Sequence, residues 1–136
     1  MIERVEHTGE LELRLRAPTL EALLAAALRA VADETEEGEG GETPEGRPER
    51  RRLAIDASGP DTLLADLLNE AIFLMETEGF LPTGLEASEL EGGRLRGALV
   101  GRCADAVRPL VKAATYHRLG VWREGDGWRG TVVLDV

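Results

Sequence analysis

Leucines mark out the first elements of the chain. Leu11, Leu13 and Leu15 alternate with Glu12, Arg14 and Arg16. A period of two is the mark of a strand with one face in a core. Residues 2–7 also read as extended. Pro18-Thr19 stops the strand and supplies a helix cap. Leu20, Leu23, Leu24, Ala27, Leu28 and Val31 then recur at helical spacing. They predict one apolar stripe on a helix of about four turns, which the alanines at 25–27 favour further.

Leu53, Ile55 and Ala57 put a strand over 50–57. Ser58-Gly59-Pro60-Asp61 is a turn that opens a second helix. Its stripe is Leu64, Leu67, Leu68, Ala71, Ile72 and Met75. Leu63, Phe73 and Leu74 widen that stripe, so this helix is expected to be the more buried one. Gly79 is placed to end it. Residues 86–91 and 94–102 flank Gly92-Gly93, and residues 115–124 and 128–135 flank Gly125-Asp126-Gly127. Both read as hairpins. Residues 103–109 form a connector without a periodic signal. The expected fold is a single α+β domain over 1–136, with two amphipathic helices packed on a largely antiparallel mixed sheet.

Composition changes this picture in one place. Residues 34–49 are Glu, Gly, Thr, Pro and little else. Such a stretch buries too little apolar surface to offset its ordering entropy, and it is expected to be an acidic mobile loop. As such it is a solvated excursion; the rival reading has it mask a basic partner surface. The chain carries −10 overall. Residues 33–49 hold eight acids against Arg47, which leaves −3 for the rest. That field repels phosphates, so any service to RNA is expected to be indirect, through another protein.

The length of 136 residues and an apolar share of 43% suit one core-forming domain. The single Cys103 rules out an internal disulfide and argues against a thiolate zinc cluster. No apolar run is long enough to span a bilayer and no secretory signal pattern opens the chain. A cytoplasmic protein with no membrane partner is expected. Walker, GxSxG and HExxH patterns are all missing.

Candidate chemistry gathers at the two ends. Asp135 lies beside the α-carboxylate of Val136, and Glu10 sits at the mouth of the second strand. Carboxylates this close repel unless a cation lies between them. An all-oxygen set suits calcium, magnesium or manganese rather than zinc. The plain alternative is a solvent-facing aspartate at a chain end. His7 and His117 are the only histidines. They could serve as acid and base or as ligands, or simply bond to backbone at strand ends. Lys112, the only lysine, could meet a phosphate or an acidic partner.

Several of these residues fall into a known pattern. Lys112-Ala113-Ala114-Thr115-Tyr116-His117, then Gly127-Trp128 and a closing Val133-Leu134-Asp135-Val136, resemble the C-terminal signature of the archease family. Glu6-His7-Thr8-Gly9-Glu10 resembles that family's Asp-His-Thr-Ala-Asp entry. Leu64-Ala65-Asp66-Leu67-Leu68-Asn69-Glu70 resembles its second-helix motif. The resemblance spans nearly the whole chain, in order.

The resemblance implies a non-catalytic protein cofactor of the tRNA-splicing RNA ligase, one that promotes ligase guanylylation and multiple turnover. It implies a metal site at Glu10, Asp135 and Val136, with calcium first and magnesium or manganese as alternatives. His7, Lys112, Tyr116 and His117 would shape the surface for activation. Glu10 replaces the family's aspartate and Gly9 its alanine. The longer arm can still reach if the backbone retreats, which glycine permits. Two rivals stand beside this reading. One is a chaperone-like binding module for tRNA-processing or tRNA-modifying enzymes, without a catalytic metal. The other is a metal-dependent hydrolase with His7 or His117 as base, which no nucleophile motif supports.

Overall fold

The computed structural model describes residues 1–37, 48–104 and 107–136. Two antiparallel sheets and two helices enclose the core. The first sheet joins both ends of the chain: β1 (Ile2–His7), β2 (Glu10–Ala17), β9 (Gly127–Asp135) and β8 (Ala113–Glu124), in that order. The other large sheet runs β4 (Pro48–Asp56), β6 (Arg94–Cys103), β5 (Phe80–Glu91). A short pair, β3 (Thr35–Glu37) on β7 (Val107–Pro109), completes the strands described. Helices α1 (Leu20–Asp33) and α2 (Pro60–Glu78) supply half of the buried leucines, and the strands supply the rest.

Local chemistry sets the helix ends. Thr19 Oγ1 accepts from Ala22 N–H at 3.1 Å, which caps α1. Pro60 opens α2, where a missing N–H costs nothing. Gly79 closes α2 in the left-handed region, φ 65°. A Cβ there would lie 2.6 Å from the carbonyl oxygen of Ala104, so only glycine fits.

The core decides how the chain ends meet. Leu11, Leu13, Val132 and Leu134 are fully or almost fully buried. Each buried residue of this size contributes roughly 1.5–3 kcal/mol. Their shared face fixes the β2–β9 register, with Leu11 opposite Leu134 and Leu13 opposite Val132. A slip of one residue would turn every one of these side chains to solvent. Glu10 is therefore held opposite Asp135, as the same register requires.

Four expectations need correction. The predicted loop 34–49 is structured at both ends: Glu34 caps α1, Thr35–Glu37 pairs with β7, and Pro48 opens β4. Residues 38–47 of that loop lie outside the described residues. The connector after Cys103 contains β7, whose three residues are too few to show a period. β5 begins at Phe80, because Phe80 and Leu81 are buried beneath the sheet. Phe73 does not widen the stripe of α2; it is 55% exposed, while its neighbours Ile72 and Leu74 are buried. Among the described residues, no helix is long and apolar enough to cross a membrane.

Candidate functional site at the paired chain ends

One cross-strand row carries three of the seven sequence candidates, with Val136 and Lys112 next to it in the chain. His7 pairs with Glu10, Glu10 with Asp135, and Asp135 with Ala113. Directly opposed residues in an antiparallel sheet share a face. This is the face away from the core, since Leu11 and Leu134, one step along, point inward. Two main-chain bonds fasten the row. Val136 N–H donates to Gly9 C=O at 3.1 Å, and Lys112 N–H to Asp135 C=O at 2.7 Å. Gly9 takes the left-handed turn position, φ 74°, between β1 and β2.

The row is acidic, and its carboxylates are not equally matched. Among the described residues, nothing bonds to the Asp135 side chain. Glu10 is 3.6 Å from the guanidinium of Arg118. Like charges a few ångström apart repel by roughly 1 kcal/mol in water, and severalfold more where protein displaces solvent. The row thus favours a further cation. Among the described residues, no three His, Cys, Asp or Glu side chains converge to hold a metal ion. The side-chain donors that the row does offer, Glu10 and Asp135, are oxygen, the kind a hard divalent cation takes.

The predicted surface residues separate. Lys112 is exposed beside the row. Tyr116, His117, Arg118 and Leu119 form a bulge in β8: Thr115 faces Val133, and the next paired residue is Gly120 opposite Thr131. His117 is exposed there, and among the described residues neither its imidazole nor that of His7 bonds to backbone. Tyr116 belongs to the α2 side. Its hydroxyl donates to Asp66 Oδ1 at 2.5 Å, and its pKa is raised, first by that bond and then by the Asp66 charge.

Sequence reasoning missed two partners of the row. Arg118 has a left-handed φ of 54°, the only such non-glycine among the described residues. That conformation costs an L-residue roughly 1–2 kcal/mol, and it brings the guanidinium to Glu10 and, at 3.9 Å, Glu12. Thr131 Oγ1 donates to Arg118 C=O at 3.0 Å and pins the bulge. Glu12 reads as solvent-facing in the alternating pattern, yet it is only 6% exposed. It is satisfied by Arg14, whose Nε and NH2 lie 3.0 and 2.9 Å away.

The second-helix motif also has a physical role. Asp66 and Asn69 are one turn apart on α2 and both reach β8. Asn69 bonds both main-chain groups of Ala114. β8 is the outer strand of its sheet, so those groups have no strand neighbour. The i, i+3 spacing of Asp66 and Asn69 was a legible signal.

Comparison with known proteins bears on the family and the fold. The model of the Archease protein family matches residues 3–136. Protein archease from Methanopyrus kandleri is 36% identical over 143 residues, covering 98% of each chain. A probable protein archease from Mycobacterium tuberculosis is 29% identical over 137 residues, covering 97% of this chain and 73% of that one. The fold is similar to the crystal structure of an archease, described as a possible chaperone, from Thermotoga maritima. The TM-score is 0.69 at 23% identity, over 100% of this chain and 98% of that one. A solution structure from Methanobacterium thermoautotrophicum gives a TM-score of 0.72 at 19% identity, over 99% and 98%. By the match to its family model and by its likeness to the Methanopyrus protein, this chain belongs to the archease family.

Proposed function

We propose that this protein is a cytoplasmic, non-catalytic cofactor of the tRNA-splicing RNA ligase. It promotes guanylylation of the ligase's active-site histidine and multiple turnover in tRNA splicing and RNA repair. The observation that carries the reading is the core-enforced pairing of Glu10 with Asp135, with Val136 tied to Gly9 beside them. Glu10, Asp135 and the terminal carboxylate of Val136 would hold a divalent cation; calcium suits best, and magnesium or manganese are alternatives. When bound, such a cation supplies charge neutralisation for a transferring phosphoryl group. His7, Lys112 and His117 contribute exposed polar surface around the row, and Tyr116 lies beyond it on the α2 side. RNA is met through the ligase, in keeping with a net charge of −10.

A second reading is a chaperone-like binding module for tRNA-processing or tRNA-modifying enzymes, working without a catalytic metal. Two observations favour it. No three metal-binding side chains converge among the described residues. Leu110, Tyr116 and Trp122 are each at least 42% exposed, and apolar surface of this kind suits protein contact.

Guanylylation and multiple-turnover ligation by the cognate ligase separate the two. Wild type is expected to stimulate both, and Asp135→Ala, with its circular dichroism unchanged, is expected to lose the effect. Full stimulation by the variant would refute the cation-bearing activator and leave the binding module.

A further inference from the structure

We infer that Arg118 is a built-in counter-cation of the acidic row, and that its guanidinium competes with a divalent cation for Glu10. The inference rests on the cation reading above and concerns how tightly, and under what competition, the site fills.

The geometry provides for an exchange. Arg118 is the cation nearest Glu10, at 3.6 Å, and the same guanidinium is 3.9 Å from Glu12. A guanidinium and a divalent cation cannot both neutralise one carboxylate without repelling each other. The main chain at Arg118 is held in place. Its carbonyl accepts from Thr131 at 3.0 Å, and its φ of 54° is fixed by a bulge of four residues opposite one. The side chain is not held in the same way, being 48% exposed. It can swing outward while the bulge stays put.

The consequences for the carboxylates decide whether an exchange is tolerable. Glu12 is the buried one, and leaving it unpaired would be costly. Arg14 already holds Glu12 at 2.9 Å, so it keeps a partner when Arg118 leaves. Among the described residues, Arg118 is the cation that pairs with Glu10. It would pass from the arginine to the incoming ion. Glu10 and Glu12 each keep a partner on both sides of the exchange. A site whose open form is only partly populated binds more weakly in proportion to that fraction.

Calcium titration by calorimetry of wild type, Arg118→Gln, Arg118→Gly and Arg118→Lys tests this. Arg118→Gly removes the charge and relieves the left-handed backbone, which guards against a folding defect in the glutamine variant. The expected result is an affinity about tenfold higher in Arg118→Gln and Arg118→Gly, a change of about 1.4 kcal/mol. Arg118→Lys, which keeps the charge, should stay near wild type. Binding seen only once the charge is removed also supports the inference, with Arg118 closing the site completely. Affinity unchanged or reduced in Arg118→Gln and Arg118→Gly overturns the role of Arg118 and leaves the cation reading standing. No binding in any of the four proteins overturns both.

Discussion

Asn69 satisfies both main-chain groups of Ala114: its Nδ2 donates to the carbonyl at 3.0 Å, and its Oδ1 accepts from the N–H at 2.8 Å. A side chain on α2 thus takes the place of a missing strand beside β8. Ala114 is 4% exposed, so these groups have little access to water. Asn69→Ala removes two bonds and strands two partly buried backbone groups. We expect it to destabilise the fold by about 2–3 kcal/mol, read as a lower urea midpoint with an unchanged slope. Asn69→Asp should not rescue it, because a carboxylate cannot donate to the carbonyl.

Tyr116 is the chain's one tyrosine, so ultraviolet titration of tyrosinate reads it alone. The bond to Asp66, and then the Asp66 charge, hold its pKa above the ordinary 10.0. The sign follows from linkage: the fold favours the protonated phenol. The contribution to stability is complete below pH 10.0 and is lost as pH rises through the raised folded value. Asp66→Asn should lower the tyrosinate midpoint toward the ordinary value. An unmoved midpoint would show that the hydroxyl does not bond to Asp66 in solution.

Cys103 should be a slow thiol. Its Sγ donates to Glu49 Oε2 at 2.5 Å, and that bond, with burial and the Glu49 charge, pushes its pKa up against a smaller opposing effect of Arg51. The thiolate is the reactive form. Modification by a disulfide reagent at mildly alkaline pH is expected to be slower than for a free cysteine and to speed up in Glu49→Gln. With one cysteine in the chain, the rate has a single source.

Gly79 should be intolerant of a side chain. Its left-handed φ of 65° ends α2, and a Cβ would meet the Ala104 carbonyl oxygen at 2.6 Å. That contact belongs to a link between helix and sheet, where Ala104 N–H donates to Gly79 C=O at 3.0 Å. Gly79→Ala is expected to cost about 2–3 kcal/mol, combining the left-handed penalty with a displaced backbone. Thermal unfolding would check it.

Much of the fold was legible in the sequence because its signals are periodic. Leu11, Leu13 and Leu15 announced a half-buried strand, and the stripes from Leu20 and Leu64 announced both helices. Gly92-Gly93 and Gly125-Asp126-Gly127 marked two of the hairpin turns. What escaped had no local signature. β3 and β7 are three residues each and exist through their pairing with each other. Phe73 matched the apolar composition of α2 but faces outward. At the chain ends, the meeting of Glu10 and Asp135 was implied by the resemblance to the archease motifs, because a strand's period does not say which strand it pairs with. Arg118 was not legible, because its position depends on a bulge and a left-handed φ that no spacing predicts. Glu12 was read as solvated for the same reason: the arginines that cover it arrive from its own strand and from β8.

The central claim is that the paired chain ends bind a divalent cation. It is tested most directly by titrating calcium into the wild-type protein and into Asp135→Ala, with heat as the readout and circular dichroism to confirm the fold. The account predicts one saturable site per chain in the wild type and its loss, or a weakening of at least about a hundredfold, in the variant. Equal binding by both proteins would contradict it, and would return Asp135 to the role of an ordinary surface carboxylate.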